Sequence, residues 1–175
     1  MSSHYRAIVG AANQLLEAAD GETVEGRRLR ILVADDDPIF RKRGLTILRS
    51  VAEVSQAEDG KQAIFAVDQA YARGRPFDVV ITDIYMPGVD GLAAVRAIRS
   101  MEQARGSGLS LRLIISSVAR SPMLIQQHAG GLVDAYFVKP LDRRLLMRRL
   151  VEWGLLERLD NGGPQTTRLH RRKEN

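Results

Sequence analysis

The chain has 175 residues, a net charge of +5 and no cysteine. The length suits one globular domain with additional segments, and the lack of cysteine excludes disulfides, thiolate metal sites and a cysteine nucleophile. The sequence has no apolar run of about 18 residues, which a membrane helix needs, and no secretory signal at its N-terminus. We therefore expect a cytoplasmic protein without membrane contact.

The two ends of the chain differ in charge. Residues 1–27 hold two arginines and four acidic residues, whereas residues 143–172 hold eight arginines. Apolar side chains at helical spacing in residues 5–19 predict an amphipathic helix. This helix and a charged linker make up an N-terminal segment at residues 1–27. The main domain is expected at 28–159, and a basic, disordered tail at 160–175. The tail lacks interleaved aromatic residues, which argues against nucleic-acid binding.

Strand-like and helix-like segments alternate through the main domain. Strands are predicted at 30–34, 53–57, 77–82, 111–117 and 133–138. Helices are predicted at 38–50, 60–73, 92–101, from Ser121 onward, and from 141 to about 159, with a loop at 103–110. The last helix is expected to turn Leu145, Leu146, Leu150 and Val151 toward the sheet. Five strands separated by helices require right-handed crossovers, so the fold class is α/β, a three-layer αβα sandwich with a parallel sheet.

Polar side chains stand at the C-terminal ends of four predicted strands. They are Asp35, Asp36, Asp37, Asp83, Ser116, Ser117 and Lys139. In an open parallel sheet these ends meet at one edge, where ligands bind. Two carboxylates about 4 Å apart repel by about 4 kcal/mol at an effective dielectric near 20, so the cluster needs protons or a cation. Oxygen-only ligation suits Mg²⁺. The edge is predicted to hold a phosphoryl group on Asp83.

These residues, with Met86-Pro87-Gly88 and Asp90-Gly91 after Asp83 and Pro140 after Lys139, resemble the receiver domain of two-component response regulators across residues 29–155. The resemblance implies a flavodoxin-like fold with strand order 2-1-3-4-5. It also implies that Asp83 is the phosphoacceptor, which attacks the phosphorus of a phosphohistidine on a histidine kinase or histidine phosphotransfer protein. The chain would then be an acceptor that assists its own phosphorylation and dephosphorylation, not an enzyme.

The resemblance further implies a Mg²⁺ site. Asp36 and Asp83 would bind the ion directly together with the backbone carbonyl of Tyr85, and Asp35 would act mainly through a bound water. Only oxygen atoms take part in this set, as Mg²⁺ prefers.

Three more residues match the receiver pattern. Lys139 is implied to contact the phosphoryl oxygens. Ser117 is implied to be the switch hydroxyl, because Lys139 follows it by 22 positions as in the family, and Ser116 is the alternative if the strand is displaced by one residue. Tyr136 matches the aromatic switch residue.

Phosphorylation is expected to draw Ser117 toward the phosphoryl group and to vacate space that Tyr136 can enter. The surface that changes would be formed by the helix beginning near Ser121, the fifth strand and the last helix, here called the output face. A downstream protein target would bind this face differently in the two states. The N-terminal helix is expected to pack either on its own receiver domain or on a second copy. A homodimer would form through this helix or through the output face.

Only about 16 residues follow the last predicted helix, so we expect a stand-alone receiver similar to chemotaxis regulators. Two alternatives remain open. One is a receiver-fold scaffold that works without phosphorylation. The other is a phosphatase of the haloacid dehalogenase type, whose nucleophile motif fits Asp35-x-Asp37 and which needs a further acid after Lys139, where Asp142 occurs.

Overall fold

The computed structural model describes residues 27–156 except 107–110, 119–128 and 130. Several predicted features lie outside these residues: the N-terminal helix at 5–19, residues 107–110 of the predicted loop, the start of the helix at Ser121 and the tail at 160–175. Within the described ranges, no helix is both long and apolar enough to cross a membrane.

Five parallel strands form one sheet. They are β1 (Leu29–Ala34), β2 (Ala52–Ala57), β3 (Val79–Thr82), β4 (Arg112–Ser117) and β5 (Ala135–Val138). Their order, β2-β1-β3-β4-β5, confirms the predicted topology. Ala34 pairs with Thr82 and Ser117 pairs with Val138 at the C-terminal ends of the ladders. The residues that follow β1, β3, β4 and β5 therefore meet at one edge of the sheet.

Helices cover both faces of this sheet. The described helices are α1 (Pro38–Leu48), α2 (Gly60–Ala72), α3 (Gly91–Arg105) and α4 (Arg143–Glu152). An aspartate caps each N-terminus and accepts a hydrogen bond from a backbone N–H of the first turn; these residues are Asp37, Asp59, Asp90 and Asp142. The caps satisfy N–H groups that have no partner inside the helix, so each helix starts at a defined point next to the sheet.

Two apolar layers hold the sandwich together. On one side of the sheet, alternate residues such as Ile31 and Ile81 pack against Leu48 of α1 and Leu146 of α4. On the other side, Leu32 and its neighbours pack against apolar residues of α2 and α3. All four residues of β3 are buried, as expected for a central strand covered on both faces. The predicted three-layer architecture is confirmed.

Two helix boundaries were predicted wrongly. Residues 103–105 belong to α3 and not to a loop, because the helix continues until Gly106, which adopts a left-handed conformation with φ of 62° and ends the helix. The last helix stops at Glu152 and not near residue 159, since Gly154 has a φ of 70°. Glycine adopts this conformation without the steric cost that a side chain adds.

Two smaller differences concern the side of α4 on which Leu145 lies and the first residues of two strands. Leu145 is 49% exposed, whereas Leu146 and Leu150 are fully buried, so the prediction that Leu145 faces the sheet was wrong. Leu146 and Leu150 lie one turn apart on the same side of α4, and Leu145 is rotated away from that side. Strands β3 and β5 each begin two residues later than predicted, at Val79 and Ala135.

Candidate functional site

Asp83 lies directly beyond the buried strand β3. Its backbone N–H donates to the carbonyl of Ala34 at 2.9 Å, which continues the ladder between β1 and β3. Its Oδ1 accepts a hydrogen bond of 2.6 Å from the N–H of Ile84, and its side chain is 8% exposed. At Gly91 a Cβ atom would lie 1.8 Å from the Asp83 carbonyl oxygen. Only glycine allows α3 to begin so close to this residue, and the backbone of Asp83 is thereby fixed.

Asp35, Asp36 and Asp83 form an acidic cluster at this edge. One carboxylate oxygen from each lies within 4.8 Å of the others. Asp35 is buried and its Oδ1 accepts from the N–H of Asp37 at 3.0 Å, whereas Asp36 is exposed. The donor set consists of hard oxygen atoms with one side open to solvent, which suits Mg²⁺ with several retained waters.

Lys139 bridges the two buried carboxylates. Its Nζ lies 2.6 Å from Oδ2 of Asp35 and 2.6 Å from Oδ2 of Asp83, and its side chain is 5% exposed. The residue follows β5, where its N–H donates to the carbonyl of Ser117 at 2.9 Å and the Lys139–Pro140 peptide is cis. Three ionised carboxylates and one ammonium leave a charge of −2, which a divalent cation would balance.

The protonation of this edge reflects burial and pairing. Burial raises the pKa of Asp35 above its ordinary value, and the hydrogen bonds from Lys139 and Asp37 offset this only in part. Burial lowers the pKa of Lys139, but its hydrogen bonds to Asp35 and Asp83 outweigh that effect and the pKa is raised. Lys139 is therefore a permanent cation at neutral pH, and burial disfavours the charged form of Asp35.

The two predicted switch residues lie beside the acidic cluster. Ser117 is fully buried at the end of β4, and its Oγ has no hydrogen-bond partner within the described part of the chain. Tyr136 is half-buried on β5, and its pKa is raised by burial, by the charge of Asp83 and by Tyr85. A buried hydroxyl without a partner costs free energy, and the role of Ser117 as the switch hydroxyl stays a prediction.

The alternative hydroxyl and the third predicted Mg²⁺ ligand also lie near the cluster. Ser116 is buried and lines a small cavity of about 20 Å³ together with Asp83 and Lys139. Tyr85 turns its ring outward, with 65% of the residue exposed. The role of its backbone carbonyl as a Mg²⁺ ligand stays a prediction.

Sequence reasoning missed Phe40. The Nζ of Lys139 lies 4.2 Å from the centroid of the Phe40 ring, although 99 positions separate the two residues. Phe40 follows the N-terminal cap of α1, and nothing in the local pattern distinguishes it from an ordinary apolar residue. The contact exists only because α1 and the end of β5 meet in the fold.

A buried ionic network was also missed. Arg99 and Glu102 of α3 form a 2.6 Å ion pair with side chains 6% and 0% exposed, and Arg99 also pairs with Asp134 at 2.7 Å. Arg112 donates to the other oxygen of Asp134 at 2.8 Å. The signal in the sequence is a pair of charged residues on the apolar side of α3, one turn after Val95 and Ile98. This network lies at the edge of the sheet opposite Asp83.

The output face includes a groove between β5 and α4. Its volume is about 460 Å³. It is lined by Tyr136, Phe137, Val138, Leu145, Arg148 and Arg149, together with two acidic residues. The exposed Leu145, which was predicted to face the sheet, lines this groove instead.

Comparison with known sequences identifies relatives. The response regulator receiver domain model matches residues 31–151. The sensor histidine kinase GacS of Pseudomonas protegens is 31% identical over 150 residues, which is 82% of this chain and 15% of that protein. The probable transcriptional regulatory protein NarL of Mycobacterium tuberculosis is 27% identical over 71% of this chain and 54% of that protein. The chain thus spans only a fraction of the length of these relatives.

Comparison with solved structures also finds response regulators and receiver domains. A two-component response regulator from Cytophaga hutchinsonii has a TM-score of 0.64 and 26% identity over 73% of this chain and 98% of that one. The receiver domain of a sensor histidine kinase from Pseudomonas aeruginosa, with a magnesium ion coordinated in its active site cleft, has a TM-score of 0.60 and 25% identity over 73% and 98%. Since the fold, the acidic edge and the family match agree, this chain belongs to the response regulator receiver domain family.

Proposed function

We propose that this chain accepts a phosphoryl group on Asp83 from a histidine kinase or a histidine phosphotransfer protein. The observation that carries the proposal is the carboxylate of Asp83, which lies in contact with the Lys139 ammonium and within 4.8 Å of oxygens of Asp35 and Asp36. A nucleophile, a cation for the phosphoryl oxygens and a set of metal ligands thus meet at one edge of the sheet.

The chemistry follows from these positions. A carboxylate oxygen of Asp83 attacks phosphorus, the phosphorus–nitrogen bond of the phosphohistidine breaks, and its electron pair returns to the imidazole. The product is an acyl phosphate. Lys139 neutralises charge on the phosphoryl oxygens. One phosphoryl group is taken up per chain, so the protein serves as an acceptor rather than as a catalyst with turnover.

The Mg²⁺ requirement rests on the acidic cluster. Asp36, Asp83 and the backbone carbonyl of Tyr85 would hold the ion, and Asp35 would act through a bound water. When bound, Mg²⁺ neutralises the charge that carboxylates and phosphoryl oxygens bring together. The net charge of −2 on the four side chains gives the reason why the edge needs such an ion.

The signal is proposed to pass through Ser117 and Tyr136 to the output face. The Oγ of Ser117 would donate to a phosphoryl oxygen, and Tyr136 would move into the vacated space. A downstream protein target would then bind the output face, whose groove between β5 and α4 carries exposed Leu145 and two arginines. We also propose that the chain forms a homodimer through this face or through residues 5–19. The proposed limits of the receiver domain are residues 28–159. The stand-alone receiver stays a prediction.

Incubation with acetyl phosphate and Mg²⁺, read by intact mass, tests the proposal. The wild type should gain one phosphoryl group, and both Asp83→Asn and removal of Mg²⁺ by EDTA should abolish the gain. Asp68→Asn is the matched control: Asp68 of α2 has a side chain that is 44% exposed and pairs with Arg105 of α3, so its loss should leave labelling intact. Labelling that persists in Asp83→Asn would contradict the proposal.

The two alternatives predict different results. A scaffold that works without phosphorylation would stay unlabelled although folded. A phosphatase of the haloacid dehalogenase type would hydrolyse many substrate molecules per chain. The helix caps argue against the phosphatase: Asp37 and Asp142, which it would need, cap α1 and α4 and accept hydrogen bonds from Ile39 and Leu145. Size-exclusion elution of the labelled protein reports any phosphorylation-dependent assembly.

A further inference from the structure

The ammonium of Lys139 is enclosed by two kinds of partner. Two carboxylate oxygens, from Asp35 and Asp83, lie at 2.6 Å. The ring of Phe40 lies on a further side, with its centroid 4.2 Å from Nζ. An ammonium has three protons to donate, and an aromatic face attracts a cation through its quadrupole, most strongly where water is excluded. The ring therefore completes the surroundings of this cation.

The packing of α1 against β1 fixes the position of Phe40. Asp37 caps α1 and Pro38 occupies its first turn, so the start of the helix is fixed next to the end of β1. One turn after Phe40, Gly44 lies so close to β1 that a Cβ atom would be 3.1 Å from Val33 Cγ1. The cavity left between these elements and Lys139 is about 20 Å³, enough for one water molecule. Phe40 is half-buried, and the Lys139 side chain that it contacts is only 5% exposed.

We propose that Phe40 is a positioning residue for phosphoryl transfer, whose ring holds the Lys139 ammonium at the phosphoryl site. This inference rests on the proposed function of Asp83. The ring is suited to the task because it attracts the lysine without adding negative charge. A third carboxylate in its place would repel the anionic phosphodonor, and water in its place would compete with the phosphoryl oxygens for the lysine protons.

The rate of Asp83 phosphorylation by acetyl phosphate with Mg²⁺ tests this role. Phe40→Leu should slow labelling about 10-fold, and Phe40→Tyr, which keeps an aromatic ring, should stay within about threefold of the wild type. Phe65→Leu is the matched control, because Phe65 is 64% exposed on α2; its rate should equal that of the wild type. If Phe40→Leu does not fold, Phe40→Met provides the same aliphatic replacement with a flexible chain.

A double-mutant cycle with Lys139→Met separates positioning from a merely structural role. If the ring acts through the ammonium, Phe40→Leu should change the rate of the Lys139→Met protein less than twofold. An equal slowing in both backgrounds, or an unchanged rate in Phe40→Leu, would overturn the inference while the labelled wild type upholds the proposed function. A wild type that is not labelled at Asp83 would refute both.

Discussion

Replacement of Glu102 by alanine should strongly destabilise this receiver domain, although the residue lies far from Asp83. The Glu102 carboxylate is completely buried and accepts hydrogen bonds from Arg99 Nη1 at 2.6 Å, Tyr71 Oη at 3.1 Å and the N–H of Leu111 at 3.1 Å. In the surrounding network two arginines face two carboxylates. Loss of Glu102 leaves an excess positive charge in the interior.

The expected loss can be estimated from these contacts. Removal of one partner of a buried ion pair costs about 3–5 kcal/mol. Arg99 keeps Asp134 and the carbonyls of Leu111 and Leu132 as acceptors, so the lower end applies to the charge. The Leu111 N–H, deprived of its acceptor, adds about 1 kcal/mol. A total of about 4 kcal/mol is a large part of the roughly 5–15 kcal/mol that stabilises a typical domain, and should lower the Tm by roughly 10 °C or more.

Urea denaturation followed by far-ultraviolet circular dichroism measures this loss as a shift of the midpoint at unchanged slope. Glu152→Ala is the matched control: Glu152 also pairs with an arginine three residues earlier, at 2.9 Å, but both side chains are about half exposed, at 46% and 49%. Such a pair contributes about 0–1 kcal/mol. Glu102→Gln should lie between the two variants. Equal losses below about 1 kcal/mol for Glu102→Ala and Glu152→Ala would refute the reasoning.

Three further predictions concern the edge of the sheet that holds the acidic cluster. In EDTA, Asp35→Asn should raise the free energy of unfolding at pH 7, because burial raises the pKa of Asp35 and the folded state prefers the neutral form. This gain in stability over the wild type should shrink as the pH falls through the raised pKa, because Asp35 of the wild type then becomes protonated. Ser117→Ala should leave the Tm unchanged or higher, since Oγ lacks a partner among the described residues; a clearly lowered Tm in thermal denaturation would contradict this. Gly91→Ala, with a Cβ 1.8 Å from the Asp83 carbonyl oxygen, should lower the free energy of unfolding in urea by at least about 2 kcal/mol. Gly44→Ala should change it by less than about 1 kcal/mol, because the higher helix propensity of alanine offsets its contact with Val33. Equal losses in the two variants would be inconsistent with the close approach at Gly91.

Most of the fold was readable from the order of residues. The alternation of buried strands and amphipathic helices predicted the parallel three-layer sandwich, and the receiver resemblance supplied its strand order, which is confirmed. Helix ends were less readable. Gly106 and Gly154 end α3 and α4, but a glycine near the end of a periodic segment is compatible with several boundaries.

The identity of the side chains that follow the buried strands can be read from local pattern, because Asp35, Asp83 and Lys139 come directly after strand residues. The distances between these side chains, and the groups around them, depend on how the elements pack in three dimensions. The ring of Phe40 beside Lys139 and the pairing of Arg99 with Asp134 join residues 99 and 35 positions apart. Such contacts arise where separate elements pack together, and hydrophobic periodicity records that a side is buried without recording what it is buried against.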